Sequence, residues 1–159
     1  MIQMEAVKDM IKFVKEIPED VEYLRSLAHK SEAHWGYDKK FMDVFDSKFN
    51  ITAKFILNNP VYVIWGNSVP VAFWGARRDF ETWELEYFYV SQRDLGKGYG
   101  KQMWNHLTNW CKEHEIRKIH FVTSFQAVGF YEKMGAIQDG ISKSMIDGRA
   151  IPHFICEIL

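Results

Sequence analysis

The stretch Trp83 to Gln102, WELEYFYVSQRDLGKGYGKQ, constrains this chain more than any other. Up to Val90 it is aromatic and apolar with interleaved glutamates, a composition suited to a β-strand. A polar turn follows, and then Gly96, Gly98 and Gly100 alternate, so that backbone amides can crowd together without interference from Cβ atoms. From Tyr99 the apolar residues recur at helical spacing. A strand that ends in bare N–H groups at a helix N-terminus forms a site for an anion such as a phosphate.

Two nucleotide loops fail against these letters. A triphosphate loop needs glycine five residues before its Gly-Lys pair and Ser or Thr after it. Here Leu95 and Gln102 hold those positions. The dinucleotide fingerprint begun at Gly96 and Gly98 would need glycine where Lys101 stands.

At 159 residues the chain is long enough for one domain with a substantial core, and residues 1–159 are taken as a single unit without repeats or linkers. It is 47% hydrophobic and 16% aromatic, which excludes disorder. A formal net charge of -1 argues against a general nucleic-acid or anionic-membrane binder. Cys111 and Cys156 form no C-x-x-C pair, and no His/Asp/Glu spacing suggests a metal. The first residues lack the hydrophobic run of a signal peptide, and no stretch has the length of a membrane span, so the expected location is cytoplasmic.

Along the chain, residues 10–16 alternate as a first strand would. Pro18-Glu19-Asp20 opens a helix with Val21, Leu24, Leu27 and Ala28 on one face. Asp38 caps a second helix carrying Phe41, Phe45 and Phe49, and residues 51–58 are ambiguous. Residues 61–65 and 69–77 form a hairpin, Arg78-Asp79 turns the chain, and the strand at 83–90 follows. The helix after the glycines buries Tyr99, Met103, Leu107, Trp110 and Cys111. A strand at 119–123 leads to a helix with Ala127, Val128, Tyr131 and Met134 on one face and Gly135 as its stop. Strands near 136–142 and 152–158 close the chain around a turn at Asp147-Gly148. This order predicts a mixed α/β fold: a sheet of about seven mostly antiparallel, twisted strands with about four flanking helices.

Two motifs resemble the GNAT superfamily of N-acetyltransferases. Val90 to Gly100 is similar to V-x-x-x-x-[QR]-G-x-G-x-G, with Leu95 in place of Gln or Arg. Ala127-x-x-Phe130-Tyr131-Glu132-Lys133-Met134-Gly135-Ala136 is close to A-x-x-F-Y-E-K-x-G-F, with Ala136 in place of the aromatic. Ser124 stands where many members have Asn. The element order is also that of the GNAT fold, so the resemblance covers nearly the whole chain.

The resemblance implies acetyl-CoA as co-substrate, with its pyrophosphate on the amides of the segment Leu95, Gly96, Lys97, Gly98, Tyr99, Gly100 and Lys101. The pantetheine arm is expected along Phe88, Tyr89 and Val90, as an added strand would lie, with Ser124, Phe130 and Lys133 nearby. Tyr131 resembles the tyrosine that protonates the departing thiolate, and it also suits a core aromatic. Glu84 and Glu86, two residues apart on one strand face, are the candidate bases for the acceptor ammonium; alternatively they pair with Arg77 or Arg78. His34, Trp35 and Tyr37 join the first two helices and are candidate acceptor-site residues, or simple packing. Cys111, on an apolar helix face, is a poor nucleophile.

The expected activity is acetyl transfer to a primary amine, with a small molecule favoured as acceptor, by direct attack in a ternary complex. A protein lysine or N-terminal acetyltransferase and a non-catalytic acyl-CoA sensor are the alternatives. Many members of the family pair through their final strands, so the resemblance allows a homodimer without fixing the oligomeric state.

Overall fold

The computed structural model describes residues 13–66 and 68–159. Among the described residues seven strands form one sheet in the order β1-β2-β3-β4-β5-β7-β6, namely β1 Phe13–Lys15, β2 Val61–Gly66, β3 Val69–Asp79, β4 Thr82–Val90, β5 Lys118–Val122, β6 Ile137–Lys143 and β7 Ala150–Glu157. Every pairing is antiparallel except β4 with β5. The helices are α1 Val21–Ala33, α2 Lys39–Val44, α3 Ala53–Asn58, α4 Tyr99–Glu113 and α5 Val128–Lys133. Of the expected first strand, residues 10–12 lie outside the described residues.

β3 is buried on both faces because VPVAFWGA is apolar on both sides. Phe73 is buried toward α1 to α3, among Leu24, Leu27, Phe41, Ile56 and Val61. Trp74, its neighbour in sequence, is buried on the other face with Met103, Leu107, Phe121 and Phe154. Each such large side chain contributes about 1.5–3 kcal/mol on burial. Two cores thus clamp the sheet, and β4 is held between them.

Three local features depart from the sequence expectation. The β3–β4 turn lies at Phe80-Glu81 rather than Arg78-Asp79, since β3 runs on to Asp79 and pairs with Thr82. The ambiguous residues 51–58 contain α3, whose first turn is capped by the Thr52 side chain accepting from the Phe55 N–H. The second helix does not continue as an α-helix, because Phe45–Phe49 form a π-helical turn.

Candidate active site

β4 and β5 pair only at Trp83 with Ile119 and Glu84 with His120. Beyond those residues the two parallel strands part, and the β4 edge runs on to Val90 without a β5 partner. A cleft of about 1210 Å³ opens in the gap. β4 lines it together with the end of α1, the start of α2, α5 and the β6–β7 turn, whose Arg149 reaches over to Tyr37 between α1 and α2.

At one end stands the glycine segment. Gly98 is left-handed, with φ +87°, and α4 begins directly after it without any side-chain cap. The first intrahelical bond comes from the Gln102 N–H to the Gly98 carbonyl. The amides of Tyr99, Gly100 and Lys101 therefore precede the helical ladder at the positive end of a helix of 15 residues. Leu95, Gly96, Gly98, Tyr99, Gly100 and Lys101 all line the cleft. Lys97 does not line it; its ammonium pairs with Asp94 at 3.0 Å.

Phe88 packs against Trp104, Phe130 and Tyr131, tying β4 to α4 and α5. The Val90 carbonyl accepts from Ser31 Oγ at 3.0 Å, and the Tyr89 hydroxyl turns to α1. Ser124, Phe130 and Lys133 line the α5 side of the cleft. Tyr131 is buried among Phe121, Phe154, Trp104 and Phe88, and also lines the cleft. Burial pushes its phenol well above its ordinary pKa, opposed by a hydrogen bond from Thr123.

Glu84 and Glu86 do not share a face by simple alternation. Ala76 pairs with Leu85 and Gly75 with Tyr87, so Glu86 is the extra residue of a β-bulge. The bulge changes which residues face α4: Trp83 and Leu85 before it, Phe88 and Val90 after it. The two carboxylates nevertheless meet, because Arg77 binds both. Arg77 Nη2 donates to Glu84 Oε2 at 2.6 Å and Arg77 Nε donates to Glu86 Oε1. Burial, followed by the neighbouring Glu86 charge, raises the Glu84 pKa, and Arg77 opposes the rise. Asp79, Glu84 and His120 also bring one ligand atom each within 4.8 Å of one another, a grouping that linear spacing did not reveal. Arg77, 2.6 Å from Glu84 and 4.0 Å from Asp79, already supplies positive charge there.

His34, Trp35 and Tyr37 line the α1–α2 wall. His34 and Trp35 contact edge to face, and Tyr37 stacks on Phe41 with ring centroids 4.0 Å apart. The sequence reading missed two neighbours. The Glu32 carboxylate accepts from the Tyr89 hydroxyl at 2.8 Å, and Arg149 lays its guanidinium over Tyr37, 4.4 Å from the ring centroid. Both line the cleft. Cys111 is buried and its thiol is pushed up to about 12, so it stays protonated.

The sequence model of the Acetyltransferase (GNAT) family matches residues 21–136, from the start of α1 to the end of the second motif. The chain belongs to this family. Its fold matches solved structures along nearly their whole length. The PaiA N-acetyltransferase from Thermoplasma acidophilum, in complex with coenzyme A, aligns with a TM-score of 0.78 at 15% identity, over 92% of this chain and 98% of that one. The ribosomal-protein-S18-alanine N-acetyltransferase from Escherichia coli aligns with a TM-score of 0.70 at 13% identity, over 92% and 93%. An aminoglycoside 6'-N-acetyltransferase complexed with coenzyme A aligns with a TM-score of 0.69 at 14% identity, over 94% and 98%. No curated protein matches the sequence significantly. As a GNAT acetyltransferase the chain is an acyltransferase.

Proposed function

We propose that this chain transfers the acetyl group of acetyl-CoA to the primary amine of a small molecule. The observation that carries the reading is that one cleft has the uncapped N-terminus of α4 at one end and is also lined by Tyr131 and Glu84. The amides of Gly96 and of Gly98 to Lys101 receive the pyrophosphate, whereas the Lys97 N–H donates to the Asp94 carbonyl, and the unpaired edge of β4 receives the pantetheine arm. Two similar structures hold coenzyme A, which supports that donor.

In the reaction the amine nitrogen attacks the thioester carbonyl carbon, and the C–S bond then breaks. Backbone N–H groups at the end of β4 stabilise the developing oxyanion. An alkyl ammonium with pKa near ~10.4 has no free lone pair, so a carboxylate must remove a proton first. Glu84, whose burial raises its proton affinity, takes it through water, with Glu86 beside it. Tyr131 returns a proton to the departing thiolate. Its raised pKa keeps the hydroxyl protonated at neutral pH until that moment.

A small acceptor is favoured by the aromatic α1–α2 wall and the β6–β7 turn, which flank the cleft opposite the glycine end. Among the described residues no helix is long and apolar enough to cross a membrane, and Cys111 and Cys156 are buried free thiols, in keeping with a reducing cytoplasm. A homodimer would use β6, the edge strand, where Ile137 and Ile141 are exposed. The test is release of free CoA from acetyl-CoA across amines, amino acids and peptides, with Tyr131→Phe and Glu84→Gln as controls. Release with peptides alone would favour a protein acetyltransferase. Acetyl-CoA binding without release on any acceptor would favour a sensor, and no rise in Tm with acetyl-CoA would remove the donor itself.

A further inference from the structure

The acceptor end of the cleft carries charges of both signs, and they come from different elements. Glu32, near the C-terminal end of α1, is held by the Tyr89 hydroxyl at 2.8 Å and has no ion-pair partner within 4.0 Å among the described residues. Glu84 and Glu86, by contrast, are both engaged by Arg77. Arg149, just before β7, lies 4.4 Å from the Tyr37 ring centroid and 5.2 Å from that of Phe41. Its Nε is 3.6 Å from Asp147, and its two Nη atoms make no side-chain hydrogen bond among the described residues. Lys143, at the end of β6, lines the same region. Burial raises the Glu32 pKa, opposed by the Tyr89 hydrogen bond and then by the Arg149 charge, and the two side chains make no ion pair within 4.0 Å.

A guanidinium within 4.4 and 5.2 Å of two aromatic centroids is restrained by cation–π attraction, while the Nη atoms of its fork remain free of side-chain hydrogen bonds among the described residues. That fork matches the two oxygens of a carboxylate, which an ammonium such as Lys offers no equivalent for. A carboxylate held by a phenol and lacking a cation is the complement of an ammonium. We propose that the acceptor is a small amino carboxylate, with its ammonium against Glu32 and Tyr89 and its carboxylate on the Arg149 fork. A polycation would place its further charges beside Arg149 and Lys143, where like charges repel. A lysine side chain within a protein brings no carboxylate on the same short scaffold. This inference rests on amine acetylation in the same cleft.

The test compares α-, β- and γ-amino acids, each against its own carboxamide and against the amine without the carboxyl group, by CoA release. The expected result is a kcat/KM at least tenfold higher for some acid than for its amide. Arg149→Gln should bring that ratio down by tenfold or more, chiefly through KM for the acid, and Arg149→Lys should restore only part of it. Glu32→Gln should raise KM for acid and amide together. The Tm of each variant, and its rise with acetyl-CoA, report folding and donor binding independently of the acceptor. The proposal is overturned if amides or plain amines react as well as every acid, or if Arg149→Gln changes acid and amide equally. In both cases amine acetylation stands. If no amine of any kind reacts although acetyl-CoA raises Tm, both fall.

Discussion

A Cβ atom placed on Gly100 would come to 3.0 Å from Phe130 Cε1 and 3.3 Å from its Cζ. The third glycine of the loop is thus fitted to the aromatic of the second motif, which joins the start of α4 to α5. In Gly100→Ala, a gain of about 0.8–1 kcal/mol in helix propensity opposes crowding of about 1–3 kcal/mol. Net stability should fall by about 0–2 kcal/mol in urea unfolding. Acetyl-CoA affinity should fall severalfold by calorimetry, because the Phe130 ring must move within the donor end of the cleft. Adding Phe130→Leu should return part of that affinity, and strictly additive losses would contradict the coupling.

Gly98 presents the opposite case, since its Cβ would meet nothing within 4 Å while its φ is +87°. The cost of Gly98→Ala is conformational, about 1–2 kcal/mol for an L-residue in the left-handed region. Thermal unfolding should show a lower Tm for Gly98→Ala and a partial recovery in Gly98→Asn, because Asn tolerates that region.

Tyr131→Phe keeps the buried ring and removes the proton. The kcat should fall by about 10²- to 10⁴-fold, the usual worth of a general acid, while acetyl-CoA still raises Tm. Burial lifts the phenol's pKa, so wild-type rates should show no alkaline loss from this group below pH 10. A Tyr131→Phe enzyme with full kcat would reduce the tyrosine to packing.

As the proposed base, Glu84 should set the acid limb of the rate profile, with Arg77 opposing the rise of its pKa. A base works deprotonated, so kcat/KM should rise with pH through the pKa of Glu84, which lies above the ordinary carboxylate value. Removing the guanidinium in Arg77→Gln withdraws the charge that lowers it and should move the limb to higher pH. Glu84→Gln should lower the rate and flatten the limb. An unmoved limb in both variants would assign the base elsewhere.

His106 links pH to stability on the other face of the sheet. Trp74 Nε1 donates to His106 Nδ1 at 3.0 Å, and Phe13 stacks on the imidazole with centroids 4.0 Å apart. Burial lowers its pKa below the ordinary 6.5, partly offset by Glu113. The unfolded chain then binds a proton at a pH where the folded one does not. Stability contributed by this histidine should be complete above pH 6.5 and decline as pH falls through the lowered folded value. Urea unfolding at pH 8 and pH 5.5 measures the difference, which should shrink in His106→Asn.

Much of the fold was legible because its signals are local. The Gly135 stop after α5 is left-handed, with φ +97°, and Asp38 caps α2 through the Phe41 N–H, both as the letters suggest. α3 was not legible, since six residues give too little periodicity to distinguish it from a strand. Trp104 was missed on the buried face of α4, where it packs against Phe88, Phe121 and Tyr131 across elements far apart in sequence.

Part of the site was hidden for the same reason. Period-2 counting places Glu84 and Glu86 together, but the bulge opposite Gly75 and Ala76 breaks that count, and Arg77 is what gathers the carboxylates. Glu32 meets Tyr89 across a separation of 57 residues, and Arg149 reaches Tyr37 only because the β6–β7 turn folds over the cleft.

The sequence alone determined the strand, glycines and helix between Trp83 and Glu113, because backbone freedom and helical spacing act between near neighbours. Together with the second motif, they determined the family and the donor it implies. Only the tertiary structure decided where β4 and β5 part, which carboxylates are already paired, and that Glu32 and Arg149 face one cleft. Those facts depend on which distant side chains share desolvated space, and that is set by the packing of the two cores around the sheet.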